Sequence, residues 1–125
     1  HAGTYVGNML VDATSGYDGT EYTTTCIGAA IIAVNAEGEL ASGDSNCLIS
    51  LLGYDIDANY DFELDIDDDE IEGVAALDLV WSSVDFEATG EIEDGMLTAS
   101  WADTLYDTIL MEGTLELERI SYEIP

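Results

Sequence analysis

Cationic side chains are almost absent from this chain. It contains no lysine, one arginine (Arg119) and one histidine (His1) against 28 aspartate and glutamate residues, which gives a formal net charge of −27 at pH 7. Salt bridges therefore cannot form in number on the surface, and the chain should repel nucleic acid and anionic lipid. This balance excludes nucleic acid as a partner and favours cations or a basic protein surface.

Catalytic residue types other than acids are scarce as well. A Ser-His-Asp or Cys-His arrangement would depend on His1, and a copper site built on that residue would need a second histidine. Carboxylates are too common here for any pair to mark the acid and base of a glycosidase. We therefore expect a noncatalytic role.

Proline occurs once, at Pro125, and no apolar run is long enough to span a membrane. Twelve glycines separate short runs rich in Thr, Val, Ile and Tyr, a pattern typical of an all-β chain. The length predicts one domain over residues 1–125. Strands are predicted at about 3–12, 21–34, 39–49, 54–67, 71–82, 84–92, 96–103 and 109–124. We expect an antiparallel β-sandwich of seven or eight strands, with a small closed β-barrel as the alternative.

The most regular segment runs from Tyr54 to Asp67, where every even position is apolar and every odd position is an acid or Asn59. A period of two predicts one long strand with an apolar face and an acidic face. Neighbouring acids on that face would lie roughly 6.7 Å apart, and each such pair would repel by roughly 0.6 kcal/mol in water. Salt, bound cations or hydroxyl donors must offset this repulsion.

Calcium is the ligand that this acidity favours, because Ca²⁺ takes oxygen ligands, mostly carboxylates and carbonyls. Ten of the 28 acids lie between Asp55 and Glu72. The segment begins with the spacing of an EF-hand loop, but Tyr60 replaces the turn glycine and Ile66 the closing glutamate. The candidate Ca²⁺ ligands are Asp55, Asp57, Asn59, Asp61, Asp65, Asp67, Asp68, Asp69 and Glu70. A solvated acidic surface, as in proteins adapted to high salt, is the alternative.

Cys26 and Cys47 are the only cysteines. Their midpoint falls in the turn-like segment 35–38, so folding a hairpin about this turn places them opposite one another, where a disulfide is feasible. Such a bridge would stabilise the fold by about 3 kcal/mol. A disulfide in a small acidic domain indicates an oxidising compartment. With His1 as the first residue, we expect an extracellular chain, secreted with removal of a signal peptide and not inserted in the membrane.

Aromatic and hydroxyl side chains are candidate contacts with sugars. The aromatic set would line a glycan-binding face or, as its apolar registers favour, pack in the core: Tyr5, Tyr17, Tyr22, Tyr54, Tyr60, Trp81, Trp101, Tyr106 and Tyr122. The candidate O-glycan acceptors are Thr20, Thr23, Thr24 and Thr25.

Both ends of the chain are predicted strands. The first has apolar residues at alternating positions with a glycine among them: Tyr5, Gly7, Met9 and Val11. The last follows Gly113 and contains Tyr122. Together with the early pair of cysteines, this layout resembles secreted β-sandwich subunits of bacterial and archaeal surface filaments, including donor-strand pilins. In chaperone-assembled pilins a tyrosine is next to last, whereas three residues follow Tyr122 here.

The resemblance implies that residues 1–12 form an exchangeable strand that completes a neighbour's sheet. We therefore expect a noncatalytic extracellular subunit that self-associates into a homopolymer, as a surface filament or layer, with Ca²⁺ as a stabiliser. The alternative is a secreted or lipid-anchored β-barrel or sandwich that binds a small ligand or a glycan.

Overall fold

The computed structural model describes residues 1–17, 20–51, 53–79, 82–105 and 109–122. These residues form eight strands and no helix: β1 Gly3–Tyr17, β2 Thr20–Val34, β3 Leu40–Leu51, β4 Tyr54–Asp67, β5 Glu70–Asp78, β6 Ser83–Glu93, β7 Met96–Leu105 and β8 Ile109–Ser121. The predicted all-β, eight-stranded fold is confirmed. The first predicted strand, 3–12, ends too early, because β1 continues to Tyr17 and forms a hairpin with β2 in which Thr14 Oγ1 lies 3.1 Å from Thr23 Oγ1.

The sheet closes into a barrel. Each strand pairs antiparallel with the next along the chain, and β8 returns to pair with β1. Of the two predicted architectures, the structure has the closed barrel and not the preferred sandwich. The pairing of β1 with β8 decides this, because it joins the two ends of the chain along most of their length.

Glycines inside the strands explain how a sheet of only eight strands closes into a barrel. Six of them occupy inward-facing positions: Gly7, Gly28, Gly43, Gly73, Gly90 and Gly113. At the first five, an added Cβ would lie only 1.9 to 2.3 Å from a carbonyl oxygen of the neighbouring strand. Glycine is the residue that permits such a close approach and the sharp bend that accompanies it. The strands therefore coil tightly enough to form a barrel.

The barrel is narrow, and its interior is a core. The stagger of the strands is found by following cross-strand partners once around the barrel. Starting on β6, this circuit passes through Glu93, Met96, Glu118, Val6, Ile31, Asp44, Asp61, Ala76 and Asp85. The circuit ends on β6 at Asp85, eight residues from its start at Glu93, and this offset is the stagger of the strands. Eight strands with this stagger enclose a space that side chains fill. The largest side chains that fill it are Tyr5, Met9, Ile32, Tyr60, Phe62, Leu64, Leu77, Phe86, Ile92, Leu97, Met111 and Leu115.

Three aromatic rings pack together inside the barrel. The Trp101 ring centroid lies 5.2 Å from that of Tyr60 and 5.4 Å from that of Phe62. The indole covers Gly113 on the adjacent strand, where an added Cβ would lie 2.1 Å from Cε2. Tyr60 Oη and Trp101 Nε1 are buried and have no hydrogen-bond partner of ordinary geometry in the described part of the chain. Burial raises the pKa of Tyr60 to about 12, and the nearby indole N–H offsets this only in part.

The predicted disulfide between Cys26 and Cys47 is confirmed, with a Cα–Cα distance of 5.6 Å. The β2–β3 ladder ends where Ala30 pairs with Ser45, and its register, if continued, would place Cys47 opposite residue 28. The two strands therefore shift by two residues before the bridge. In this interval Ser45 Oγ donates a hydrogen bond of 2.7 Å to the carbonyl oxygen of Ala29.

Candidate functional site

The outer surface of β4 to β6 is acidic. From Asp55 to Asp67 the odd-numbered residues of β4 point outward and the even-numbered ones pack inward, as the alternation predicts. We define the acidic face as Asp55, Asp57, Asp61, Glu63, Asp65 and Asp67 of β4, Glu70 and Glu72 of β5, and Asp85, Glu87, Glu91 and Glu93 of β6. All of these residues are exposed. The barrel thus carries a broad carboxylate surface on one side.

Like charges stand directly opposite one another on neighbouring strands. The acidic cross-strand pairs are Asp12–Glu112, Asp44–Asp61, Asp65–Glu72, Asp67–Glu70 and Glu70–Glu91. At a typical Cβ separation of about 5 Å, each pair repels by about 0.8 kcal/mol in water. Hydroxyl donors partly offset the charge of two acids: Ser50 Oγ donates to Asp55 Oδ1 at 2.5 Å, and Thr25 Oγ1 donates to Asp12 Oδ1.

The candidate calcium ligands are spread along β4 and its turn. Asp55, Asp57, Asn59, Asp61, Asp65 and Asp67 succeed one another on the outer face of one strand, and Asp68, Asp69 and Glu70 continue through the turn into β5. Calcium requires its oxygens within about 2.6 Å of one point. In the described ranges, no three His, Cys, Asp or Glu side chains are close enough together to hold a metal ion. The calcium site therefore stays a prediction.

One end of the barrel has an open cleft of about 920 Å³ that combines two acidic turns. Glu37 and Glu39 of the β2–β3 turn face the segment 65–69 across it. The backbone N–H of Ile66 donates to the Glu39 carbonyl at 2.8 Å and holds the turns together. His1 Nε2 lies 2.9 Å from Asp69 Oδ1 at the same rim. The sequence did not indicate that Glu37 and Glu39 belong here, because nothing local links residues so far apart in the chain.

A second surface, on β1 and β2, has no charge. We define the uncharged face as Thr4, Val6, Asn8 and Leu10 of β1 with Ile27, Ala29, Ile31 and Ala33 of β2. Each residue on β1 is the direct cross-strand partner of one on β2. Ile27 is 66% exposed, Ile31 54% and Leu10 38%. On a chain with a net charge of −27, this is a contiguous, mainly apolar surface without a carboxylate.

Acids border the uncharged face on both sides. Glu116 and Glu118 of β8 are the partners of Asn8 and Val6, and Asp44 of β3 is the partner of Ile31. The sequence carried a signal for this face in the continuous apolar run 27–34. Strands with both faces apolar are usually covered on both sides, and here one of those sides faces solvent.

The residues of the predicted assembly strand lie inside the barrel of their own chain. Tyr5, Met9 and Val11 are fully buried, and Gly7 packs against the Glu116 carbonyl of β8. β1 is paired with β2 on one side and with β8 on the other. Donation of residues 1–12 to a neighbour stays a prediction, and it requires β1 to leave this position and a neighbour's β1 to replace it.

The single arginine does not neutralise the acidic face. The Arg119 guanidinium lies 4.0 Å from the centroid of the Tyr122 ring and 5.9 Å from that of Tyr5. Its Nη1 donates to the Ala2 carbonyl at 3.4 Å. Burial raises the pKa of Tyr5, and the charge of Arg119 lowers it in part. The carboxylates of β4 must therefore be screened by solvent ions or by another molecule.

The candidate sugar contacts do not form one surface. Tyr5, Tyr60 and Trp101 are core residues, whereas Tyr22 is 42% exposed and Tyr122 76%. Trp81, Tyr106 and the side chains of Tyr17 and Tyr54 lie outside the described residues. The threonines lie at the start of β2, with Thr20, Thr23 and Thr25 exposed and Thr24 half-buried. O-glycosylation stays a prediction.

The fold defines the class as a small, closed, antiparallel β-barrel with a packed interior. The described residues contain no helix able to cross a membrane. No protein-family model matches the chain, and no curated protein does. Among solved structures it is similar to the crystal structure of the ywiB protein from Bacillus subtilis, with 9% identity over 93% of this chain and 92% of that one and a TM-score of 0.40.

Proposed function

We propose that this barrel is a noncatalytic, extracellular structural subunit that self-associates through its uncharged face. The observation that carries the proposal is the contiguous set of exposed apolar side chains on β1 and β2, free of acids on a chain with a net charge of −27. Apolar patches of this kind mark interaction surfaces. Identical, strongly acidic copies are the partner that this surface fits best.

Electrostatics favours this face over the rest of the barrel. Two copies that approach through their acidic faces bring like charges together, whereas contact through the uncharged face keeps those charges apart. Burial of the exposed parts of Ile27 and Ile31 would contribute about 1 kcal/mol for each side chain. In a symmetric contact every residue is used twice, which doubles this contribution.

The disulfide and the core support the compartment and the structural role. The Cys26–Cys47 bridge favours an oxidising environment, and we infer a secreted protein on this basis. A narrow barrel filled by its own side chains favours a scaffold over a carrier of ligands. Contact through one shared face gives a closed dimer, and growth into a filament or layer requires a second contact. Exchange of β1 would supply that second contact.

Sedimentation velocity tests the proposal at increasing protein concentration in 0.1 M and 0.5 M NaCl. The parent chain should associate, more strongly at the higher salt concentration because like charges are screened. The double variant Ile27→Glu/Ile31→Glu should stay monomeric. Val74→Glu is the matched control, since Val74 is an exposed apolar residue on β5, and it should associate like the parent.

Circular dichroism would verify that the variants keep the barrel, which we expect because the substituted side chains point outward. A parent chain that is monomeric in 0.5 M NaCl, or a double variant that associates like the parent, would contradict the proposal. The same measurement with a chelator and with added Ca²⁺ tests the calcium prediction. If neither the chelator nor added Ca²⁺ changes the association, the calcium prediction is wrong.

A further inference from the structure

The wall of the barrel is not hydrogen-bonded along its whole height. The β6–β7 ladder contains five pairs, from Glu93 with Met96 to Thr89 with Ser100. Beyond it lie residues 83–88 of β6 and 101–105 of β7. On their other sides these segments are fully paired, with β5 and with β8. We name the interval between them the open seam.

Two glycines lie close to the point where the β6–β7 ladder ends. Gly90 lies next to the last pair of the ladder, and an added Cβ there would lie 1.9 Å from the Thr98 carbonyl oxygen. Trp101 is the first residue of β7 beyond the ladder, and its indole lies on Gly113 of β8. Beyond the ladder, β7 remains paired with β8 and β6 remains paired with β5.

The β2–β3 ladder is also interrupted, but covalent and side-chain contacts connect its two strands beyond the last pair. Below the last β2–β3 pair, the disulfide and the Ser45 hydroxyl bond to Ala29 join the two strands. Within the described ranges, no disulfide and no side-chain hydrogen bond connects residues 83–88 to residues 101–105. At the open seam, the edges of β6 and β7 that face each other therefore have no ladder pairs between them.

The dimensions and charge of the seam indicate its occupant. Residues 83–88 of β6 extend about 20 Å, so the seam is as long as a typical strand. An extended segment that enters such an edge gains main-chain hydrogen bonds. Asp85 and Glu87 are exposed on the β6 side, and Ala102, Asp103 and Thr104 are exposed on the β7 side.

We propose that the open seam binds an extended segment of another protein, with lysine or arginine at alternate, outward-facing positions, by strand addition. A second copy of this chain does not fit, because Arg119 is its only arginine and it has no lysine. The proposal is independent of self-association, since the uncharged face lies on β1 and β2.

A capped heptapeptide of alternating valine and lysine is the probe, and hydrogen exchange of the protein amides is the measurement. Protein is kept at a concentration where it is monomeric. Added peptide should slow exchange within residues 83–88 and 101–105 and leave residues 89–93 unchanged. A peptide of alternating proline and lysine has the same charge but half the backbone donors, and it should give no protection.

The variant Asp85→Asn/Glu87→Gln should raise the peptide Kd roughly fivefold, the effect of two exposed ion pairs. Glu91→Gln/Glu93→Gln removes two acids from the laddered half of the same strand and should leave Kd nearly unchanged. Equal weakening by both variants, equal protection by the proline peptide, or no protection at the seam would each overturn the proposal. The first of these outcomes would mean that the peptide is held by general charge alone.

Discussion

Replacing Asp44 and Asp61 by asparagine, singly and together, should stabilise the barrel at low ionic strength. The two side chains are direct cross-strand partners on the outer surface of β3 and β4. Both are exposed, and no cationic side chain contacts them in the described part of the chain. Asparagine has almost the same shape as aspartate, so the substitution removes charge and leaves packing unchanged.

The magnitude follows from their separation. At about 5 Å in water, two unit charges repel by about 0.8 kcal/mol. The Debye length is about 30 Å in 0.01 M salt and about 3 Å in 1 M salt. The coupling between the two residues should therefore be close to its full value in 10 mM salt and fall below about 0.2 kcal/mol in 1 M salt.

Urea denaturation of the four members of this double-mutant cycle, at both salt concentrations, measures that coupling. Asp57→Asn is the matched control. Like Asp61, Asp57 has one acidic neighbour two residues away along its own strand, but its cross-strand partner on β3 is Leu48. Combined with Asp44→Asn, this control substitution should show little coupling.

A coupling that persists in 1 M salt would refute the reasoning from screened repulsion. Destabilisation by either single substitution in 10 mM salt would refute it as well. The second result would mean that a bound cation, and not solvent, neutralises this pair, and it would support the calcium prediction. Repeating the titration with a chelator would distinguish a divalent ion from general salt.

Three further predictions concern the core. Gly113→Ala should destabilise the barrel by about 1–3 kcal/mol in thermal denaturation, because its Cβ would overlap the indole ring; Gly16→Ala, with no atom within 4 Å of the added carbon, should not. Replacing Cys26 and Cys47 by alanine should cost about 3 kcal/mol in urea denaturation, and a loss below about 1 kcal/mol would contradict a stabilising bridge. The pKa of Tyr60 is about 12 in the fold and near 10 when unfolded. Stability should therefore fall as pH rises from 10 to 12, and Tyr60→Phe should reduce that fall when unfolding is followed across this range.

The sequence alone determined the features that depend on local pattern. Alternation from Tyr54 to Asp67 specifies the two faces of β4, since side chains of a strand alternate whatever the strand pairs with. The disulfide was predictable from a single hairpin, because the turn at residues 35–38 places Cys26 and Cys47 opposite each other. The acidic composition predicts, from the sequence alone, that nucleic acid and anionic lipid are not partners.

Only the tertiary structure decided how these strands close and which surfaces they expose. The sandwich and the barrel share the same alternation and differ in whether β1 meets β8, a contact between residues far apart in the chain. Closure depends on inward glycines such as Gly90, whose role appears only when the neighbouring strand is in place. The register of the β1–β2 hairpin brings Ile27 beside Leu10, and the β6–β7 ladder ends at Thr89 and Ser100. The pairing of β1 with β2 across the uncharged face, and the position of the open seam, therefore arise from strand register, which no local pattern encodes.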